Sequence, residues 1–295
     1  MYVDLSNLTD GFSSKFKVLS YFVAIIKIKK LKKKIYLYEK KTKDCPYLFS
    51  NHCLIKKFII VKLKKKPKTK IKFTPYNYSE ELKKLKFKYN IINNSQFDLV
   101  SDLSFRDFIP NKNIRNKINK ISLPQNFISI HIRSTDREIK IDNFFKKIQF
   151  EEMIFDFQID HMIKNLLNFI KQCSNIKNVF ISSDNKYYKE KIQNELKSHL
   201  NIYLNNSQYK IRSFRQTNGT DFLTELYCMS KSKIIISTLG GAVPTAARLI
   251  SRKKIKFYKW TDKINFYIFF KYLILIIFNL KKIKSKLFNY LQLKK

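Results

Sequence analysis

The chain is poor in cysteine, glycine and acidic residues, and each shortage removes a class of explanation. Its four cysteines, Cys45, Cys53, Cys173 and Cys228, are scattered through 295 residues. They are too few for a disulfide scaffold, and no two have the C-x-x-C spacing of a zinc or redox site. That usage suits a reducing, cytosolic setting. His52, His161 and His199 form no i, i+4 pair and no cluster with cysteine, so no metal site is expected. Neither a G-x-S-x-G elbow nor a P-loop is present, which removes the usual support for a hydrolase or an ATPase. A D-x-D carboxylate pair is also missing, the near match being Asp136 with Glu138. No internal repeat of solenoid length is visible. Only 22 Asp and Glu stand against 60 Lys and Arg, a formal charge of +38. Such a surplus suggests a polyanionic partner, nucleic acid or an anionic membrane. The lysines, however, run from Lys15 to Lys295 amid Ile, Asn, Phe and Tyr, a mixture that an AT-rich coding sequence yields by itself. No recognition helix, zinc finger or RNA-binding aromatic motif accompanies them. Nucleic-acid binding is therefore disfavoured, and a non-catalytic basic protein on nucleic acid or anionic membrane remains the alternative reading.

Apolar side chains are abundant, 44% hydrophobic with 15% aromatic. A chain of this composition and length folds, as about two modest domains. The beginning reads strand, turn, helix, strand, with "YVDL", "SNLTDGFSS", "KFKVLSYFVAIIKIKKL" and "KIYLYE" in turn. Val18 to Ile26 is too short to span a bilayer, follows a turn and precedes no small-residue cleavage site, so it reads as a crossover helix rather than a signal segment. From Cys45 to about Lys120 the pattern weakens, with a basic run broken at Pro67 and helical stretches near Glu80 to Lys88 and Phe97 to Ile109. A boundary is placed near Pro124. Beyond it, strand-length runs "FISIHI", "NVFISS", "YKIRSF", "KIIIST" and "KIKFYK" alternate with helices. These lie around Asp156 to Cys173, Tyr187 to Leu200, Asp221 to Ser230 and Ala242 to Ser251, the pattern of βαβ units in a parallel sheet. The division expected is residues 1–123, residues 124–262 and a terminal segment 263–295. In the last, "INFYIFFKYLILIIFNL" is apolar nearly all round and flanked by lysines. It is short for a transmembrane span and fits either a helix packed across the domains or an interfacial anchor whose Lys281, Lys282, Lys284 and Lys286 meet anionic headgroups.

Three strand ends carry chemistry. Alternation in "FISIHI" sends His131 and Arg133 to one face and Ile130 and Ile132 to the other. Polar residues thus appear at the carboxyl end of a buried strand, where open α/β sheets bind ligands, and an arginine fork there matches phosphate oxygens. Asp136 could aim that guanidinium, accept from a sugar hydroxyl, or cap the next segment. "NVFISSDN" brings Asp184 to the same edge, as a ligand carboxylate or a helix cap. "KIIISTLGGAVPTAARL" passes through Ser237, Thr238, Gly240 and Gly241 into a helix, so backbone N–H groups and the positive end of a helix dipole face the same edge.

Together, "HIRSTD", "VFISSD" and "TELYCMSKSKIIIST" with its glycine turn resemble the nucleotide-binding half of the fucosyltransferase superfamily, whose members carry an H-x-R-x-x-D motif. The likeness is to the α-1,6-fucosyltransferases and the bacterial nodulation fucosyltransferases, with α-1,2- and protein O-fucosyltransferases as relatives. It covers about Phe127 to Ile250, and more faintly the first strand-helix-strand. The resemblance implies an α/β, GT-B-like architecture: two Rossmann-like halves facing a cleft, the first on the acceptor side and the second binding the nucleotide sugar, to which the residue pattern of the tail adds a basic apolar C-terminal helix. It implies an inverting, metal-independent glycosyltransferase that uses no cofactor and moves a hexose, most often fucose from GDP-fucose, to a glycan or lipid-linked acceptor. Arg133 would bind the donor diphosphate, with His131 and Asp136 completing the motif. Asp184 would meet the guanosine, and Glu225 occupies the place of an acidic residue ahead of the last motif strand. Thr238, Gly240 and Gly241 would line the phosphates, with Leu239, Gly240 and Gly241 standing where relatives often have serines. Glu138 and Asp142 are candidates for the general base. Without a metal, charge building on the leaving diphosphate would fall to Arg133 and the glycine turn. The expected location is cytoplasmic, at the cytoplasmic face of a membrane with peripheral contact.

Overall fold

The computed structural model describes residues 2–6, 12–39, 53–66, 68, 78–91, 93–133, 156–207, 219–238, 242–251 and 253–260. It begins with β1 (Tyr2–Asp4), α1 (Phe12–Ile28) and β2 (Lys34–Tyr38). Then come β3 (Cys53–Ile55), β4 (Ile59–Lys62), α2 (Tyr78–Lys88), α3 (Asn94–Ser104), a 3-10 turn at Phe105–Asp107, β5 (Phe108–Pro110) and α4 (Lys112–Lys120). β1, β2 and β4 form a parallel sheet in that order, and β3 pairs antiparallel with β5. α1 is apolar on most sides because most of its sides are covered. Phe16, Leu19, Val23 and Ile26 are buried, and the helix packs on both α3 and α8 (Ala242–Ile250).

The second half holds β6 (Ile128–Ile132), α5 (Asp156–Cys173), β7 (Asn178–Ser183), α6 (Lys186–Leu196), β8 (Asn201–Leu204), α7 (Gly219–Met229), β9 (Ile234–Ser237), α8 and β10 (Lys256–Lys259). Its five strands are parallel in the order β10-β9-β6-β7-β8. The first strand therefore sits in the middle, and the chain winds outward on one side before returning to the other. Strand side chains alternate as the sequence requires. Ile128, Ile130, Ile132, Val179, Ile181, Ile234 and Ile236 join one core with Ile163, Leu166 and Ile192 of α5 and α6. Phe180 and Ile235 face the other way, into a core shared with Leu223 and Leu226 of α7 and Ala247 of α8.

That second core runs without a break into Phe16, Leu19, Ile114 and Ile118 of the first half. α4 packs on α7, and both α1 and the 3-10 turn pack on α8. The two halves are thus joined by apolar contact as well as by the connector around Pro124. Three asparagines begin the helices: Asn93, Asn111 and Asn185 accept from the backbone N–H of Gln96, Ile114 and Tyr187. At helix ends the scarcity of glycine shows. Lys30, Asn90 and Ser122 each take φ of 50°, and Leu31 and Ile91 close onto the carbonyls of Ile26 and Lys86.

Two expectations need correction. The helix expected over Phe97 to Ile109 stops at Ser104, and its last residues form the 3-10 turn and β5, because pairing with β3 captures Phe108–Pro110. The helix expected over Tyr187 to Leu200 ends at Leu196, and the third strand of the large sheet is Asn201–Leu204, registered on Asn178–Ile181 of β7. The segment "YKIRSF" at 209–214, expected to be that strand, lies outside the described residues. So does the terminal segment 261–295; among the described residues no helix is long and apolar enough to cross a membrane.

Candidate functional site

In the parallel sheet, His131 of β6 stands level with Ser182 of β7 and with Ser237 of β9. The chain departs from β6 toward β7, while β9 approaches β6 from the opposite side. Their carboxyl ends open the crevice where the winding direction reverses, the ligand position of doubly wound sheets. Arg133 follows β6 directly at that point. Its backbone N–H donates to the Oγ1 of Thr238, the residue after β9, at 3.2 Å. In return the N–H of Thr238 donates to the carbonyl of His131 at 3.1 Å. The two strand ends are therefore latched to one another across the crevice. Thr238 is buried, whereas Arg133 is partly exposed.

Beneath this edge lies a buried polar network. His131 Nδ1 is 3.2 Å from Ser182 Oγ, which donates to Glu225 Oε2 at 2.7 Å. Glu225 comes from α7, and its Oε1 accepts from Lys189 Nζ of α6 and from Ser207 Oγ, both at 2.8 Å. Lys189 also donates to the carbonyl of Asn205 at 2.8 Å. The Asn205 amide reaches Ser207 Oγ at 3.0 Å and Asp221 Oδ1 at 3.3 Å. Asp221 in turn takes a 2.9 Å ion pair from Lys117 of α4, across the two halves. His131, Glu225 and Lys189 are 4%, 3% and 5% exposed and Asp221 is fully buried. An ion pair this deep persists because each partner holds further hydrogen bonds. Cys228, next on the Glu225 helix, has its thiol pushed up to about 12, by burial first and then by the Glu225 carboxylate. It stays a neutral apolar filler.

The five expected site residues that fall within the described set divide in two. Arg133 and Thr238 form the rim of the crevice, with Asp184 partly buried just beyond β7. The N-cap of α6 is Asn185, whose Oδ1 accepts from the Tyr187 N–H. His131 and Glu225 lie behind the rim as parts of the network. Asp136, Glu138, Asp142, Gly240 and Gly241 lie outside the described residues. Sequence reasoning missed Lys189 and Asp221, the first because one lysine among many carries no mark of burial. Among the described residues no group of three His, Cys, Asp or Glu gathers as a metal ligand set would. A cavity of about 660 Å³ lined by Ile118, Leu123, Phe127, Lys231 and Lys253 lies at the amino ends of the strands, away from this edge.

No protein-family model matches the chain, and no curated protein matches it by sequence. Solved structures do match. NodZ alpha-1,6-fucosyltransferase soaked with GDP-fucose aligns at 13% identity and a TM-score of 0.55, over 87% of this chain and 94% of that one. POFUT1 in complex with GDP aligns at 12% identity and a TM-score of 0.51, over 87% and 98%. A mutant of Arabidopsis thaliana FUT1 in complex with GDP aligns at 12% and 0.50, over 88% and 70%.

The chain has the GT-B fold of the fucosyltransferases. At these identities the match speaks for architecture, and it spans nearly the whole length of the first two relatives. The strand that carries His131 is the central strand of the five-stranded sheet, and the latch between Arg133 and Thr238 ties its carboxyl end to that of β9.

Proposed function

We propose that this chain is a glycosyltransferase that moves fucose from GDP-fucose to a hydroxyl of a glycan or lipid-linked saccharide, with inversion and without a metal. The observation that carries the reading is the position of Arg133. It follows the central strand at the reversal point of a fold shared with enzymes solved with GDP or GDP-fucose. In the reaction, the bond between the anomeric carbon and the diphosphate oxygen breaks as the acceptor oxygen bonds to the opposite face. Negative charge gathers on the departing diphosphate, and the Arg133 fork meets it with two parallel N–H donors. The N-terminus of α8 adds neutral donors for the same oxygens. The acceptor proton passes to a carboxylate, for which Glu138 and Asp142 are the candidates, and Asp184 reads the nucleoside. The apolar, lysine-flanked segment 264–280 supports work at the cytoplasmic face of a membrane. A division at residues 123 and 124 gives an acceptor-side half and a donor half.

The test is a calorimetric titration with GDP, UDP, ADP and CMP, without added metal, at moderate salt. GDP should bind selectively, and Arg133→Ala should abolish binding while leaving the circular dichroism spectrum unchanged. Equal affinity for all four nucleotides, or unaltered GDP affinity in the variant, would overturn the assignment.

A further inference from the structure

The network behind the crevice has a direction. Lys189 Nζ sits 2.8 Å from Glu225 Oε1, so the glutamate is met as a carboxylate, which accepts hydrogen bonds and donates none. Ser182 has one hydroxyl hydrogen, and the 2.7 Å contact with Glu225 Oε2 needs it, since two bare oxygens that close would repel. The 3.2 Å contact between Ser182 and His131 Nδ1 must then draw its hydrogen from the ring. His131 is thereby held with a proton on Nδ1, which leaves Nε2 as the acceptor nitrogen whenever the ring is neutral. In water an imidazole exchanges freely between its tautomers. Here the choice is made at the far end of three hydrogen bonds, at Lys189 on α6.

We infer that Lys189 is a positioning residue: through Glu225 and Ser182 it fixes the tautomer and ring plane of His131, and with them the strand end that carries Arg133. The His131 carbonyl is held by Thr238, which also holds the Arg133 N–H, so the residue whose ring the relay orients is itself one end of the latch. A loss of GDP affinity is expected for Lys189→Met. That affinity effect rests on the function proposed above; the tautomer does not.

The experiment uses the full chain labelled with 15N at histidine, read by long-range proton-nitrogen correlation. With four histidines in the sequence, the His131 signals are assigned by their loss in His131→Asn. The wild type should show the Nδ1–H pattern. Lys189→Met and Ser182→Ala should both shift it toward a tautomer mixture, and Lys189→Arg should restore it. Ser182→Ala leaves the buried ion pair in place, so it decides the matter if Lys189→Met does not fold. An Nε2–H pattern in the wild type, or an unchanged pattern in Ser182→Ala, would overturn the inference. The same samples are titrated with GDP. A tautomer that responds in samples that bind no GDP upholds the relay and removes the donor reading. GDP binding with an unresponsive tautomer does the reverse.

Discussion

Stripping one partner from the Lys189–Glu225 pair should cost far more than stripping both. The two side chains are 6% and 4% exposed, and the contact is 2.8 Å. In Lys189→Met the Glu225 carboxylate keeps its donors Ser182 and Ser207 but loses its counter-charge in a site that water does not reach. The Asn205 carbonyl loses a donor as well. Breaking a buried pair in this way costs about 3 to 5 kcal/mol. In Lys189→Met with Glu225→Gln, no charge is left uncompensated, and the amide still meets two hydroxyls. That double variant should lie within about 1 to 2 kcal/mol of the wild type, since neutral replacements of buried ion pairs are often tolerated. The coupling from a complete cycle, Glu225→Gln included, should therefore be about 2 kcal/mol or more. Chemical denaturation monitored by both circular dichroism and Trp260 fluorescence supplies the four free energies. Trp260 is buried in the α5 and α6 core, so it reports on the half that holds the pair. Additive single effects, within about 0.5 kcal/mol, would refute the reasoning.

Two further outcomes follow from local physics. Cys228 should resist thiol reagents at neutral pH until the chain unfolds, because its thiol is pushed up to about 12. A thiol raised in the folded state favours folding below its unfolded value near 9, and that contribution fades as pH climbs from about 9 toward 12. Alkaline unfolding of wild type and Cys228→Ala, compared pairwise, should diverge by at most about 1.4 kcal/mol per pH unit in that window, and parallel curves would contradict it. At the end of α1, Lys30 has φ of 50°, where a side chain is crowded and glycine is not. Lys30→Gly should raise stability by about 0.5 to 1 kcal/mol, net of the extra freedom glycine gives the unfolded chain. A destabilised variant would show that the Lys30 side chain matters more than its backbone.

Much of the second half was readable from the sequence because its elements are marked by local pattern. "FISIHI" alternates within a buried run, and α5, α7 and α8 begin and end within two residues of their expected bounds. The first strand-helix-strand unit was equally plain. β8 was missed for a physical reason. It is a four-residue edge strand of middling exposure, paired on one side to β7, and nothing local separates "NIYL" from the turn before it. β5 was read as helix because its strand character exists only in pairing with β3.

The sequence by itself determined which polar residues follow apolar strands: Arg133 after one, and Thr238 with Gly240 and Gly241 after another. Strand alternation and the polarity of strand ends are properties of neighbours along the chain. Only the tertiary structure decided that Arg133 and Thr238 are hydrogen-bonded partners, 105 residues apart. It also decided that one lysine of a strongly basic chain belongs inside, against Glu225. Burial and pairing of charges depend on which helices close over a sheet face, and no local spacing encodes that.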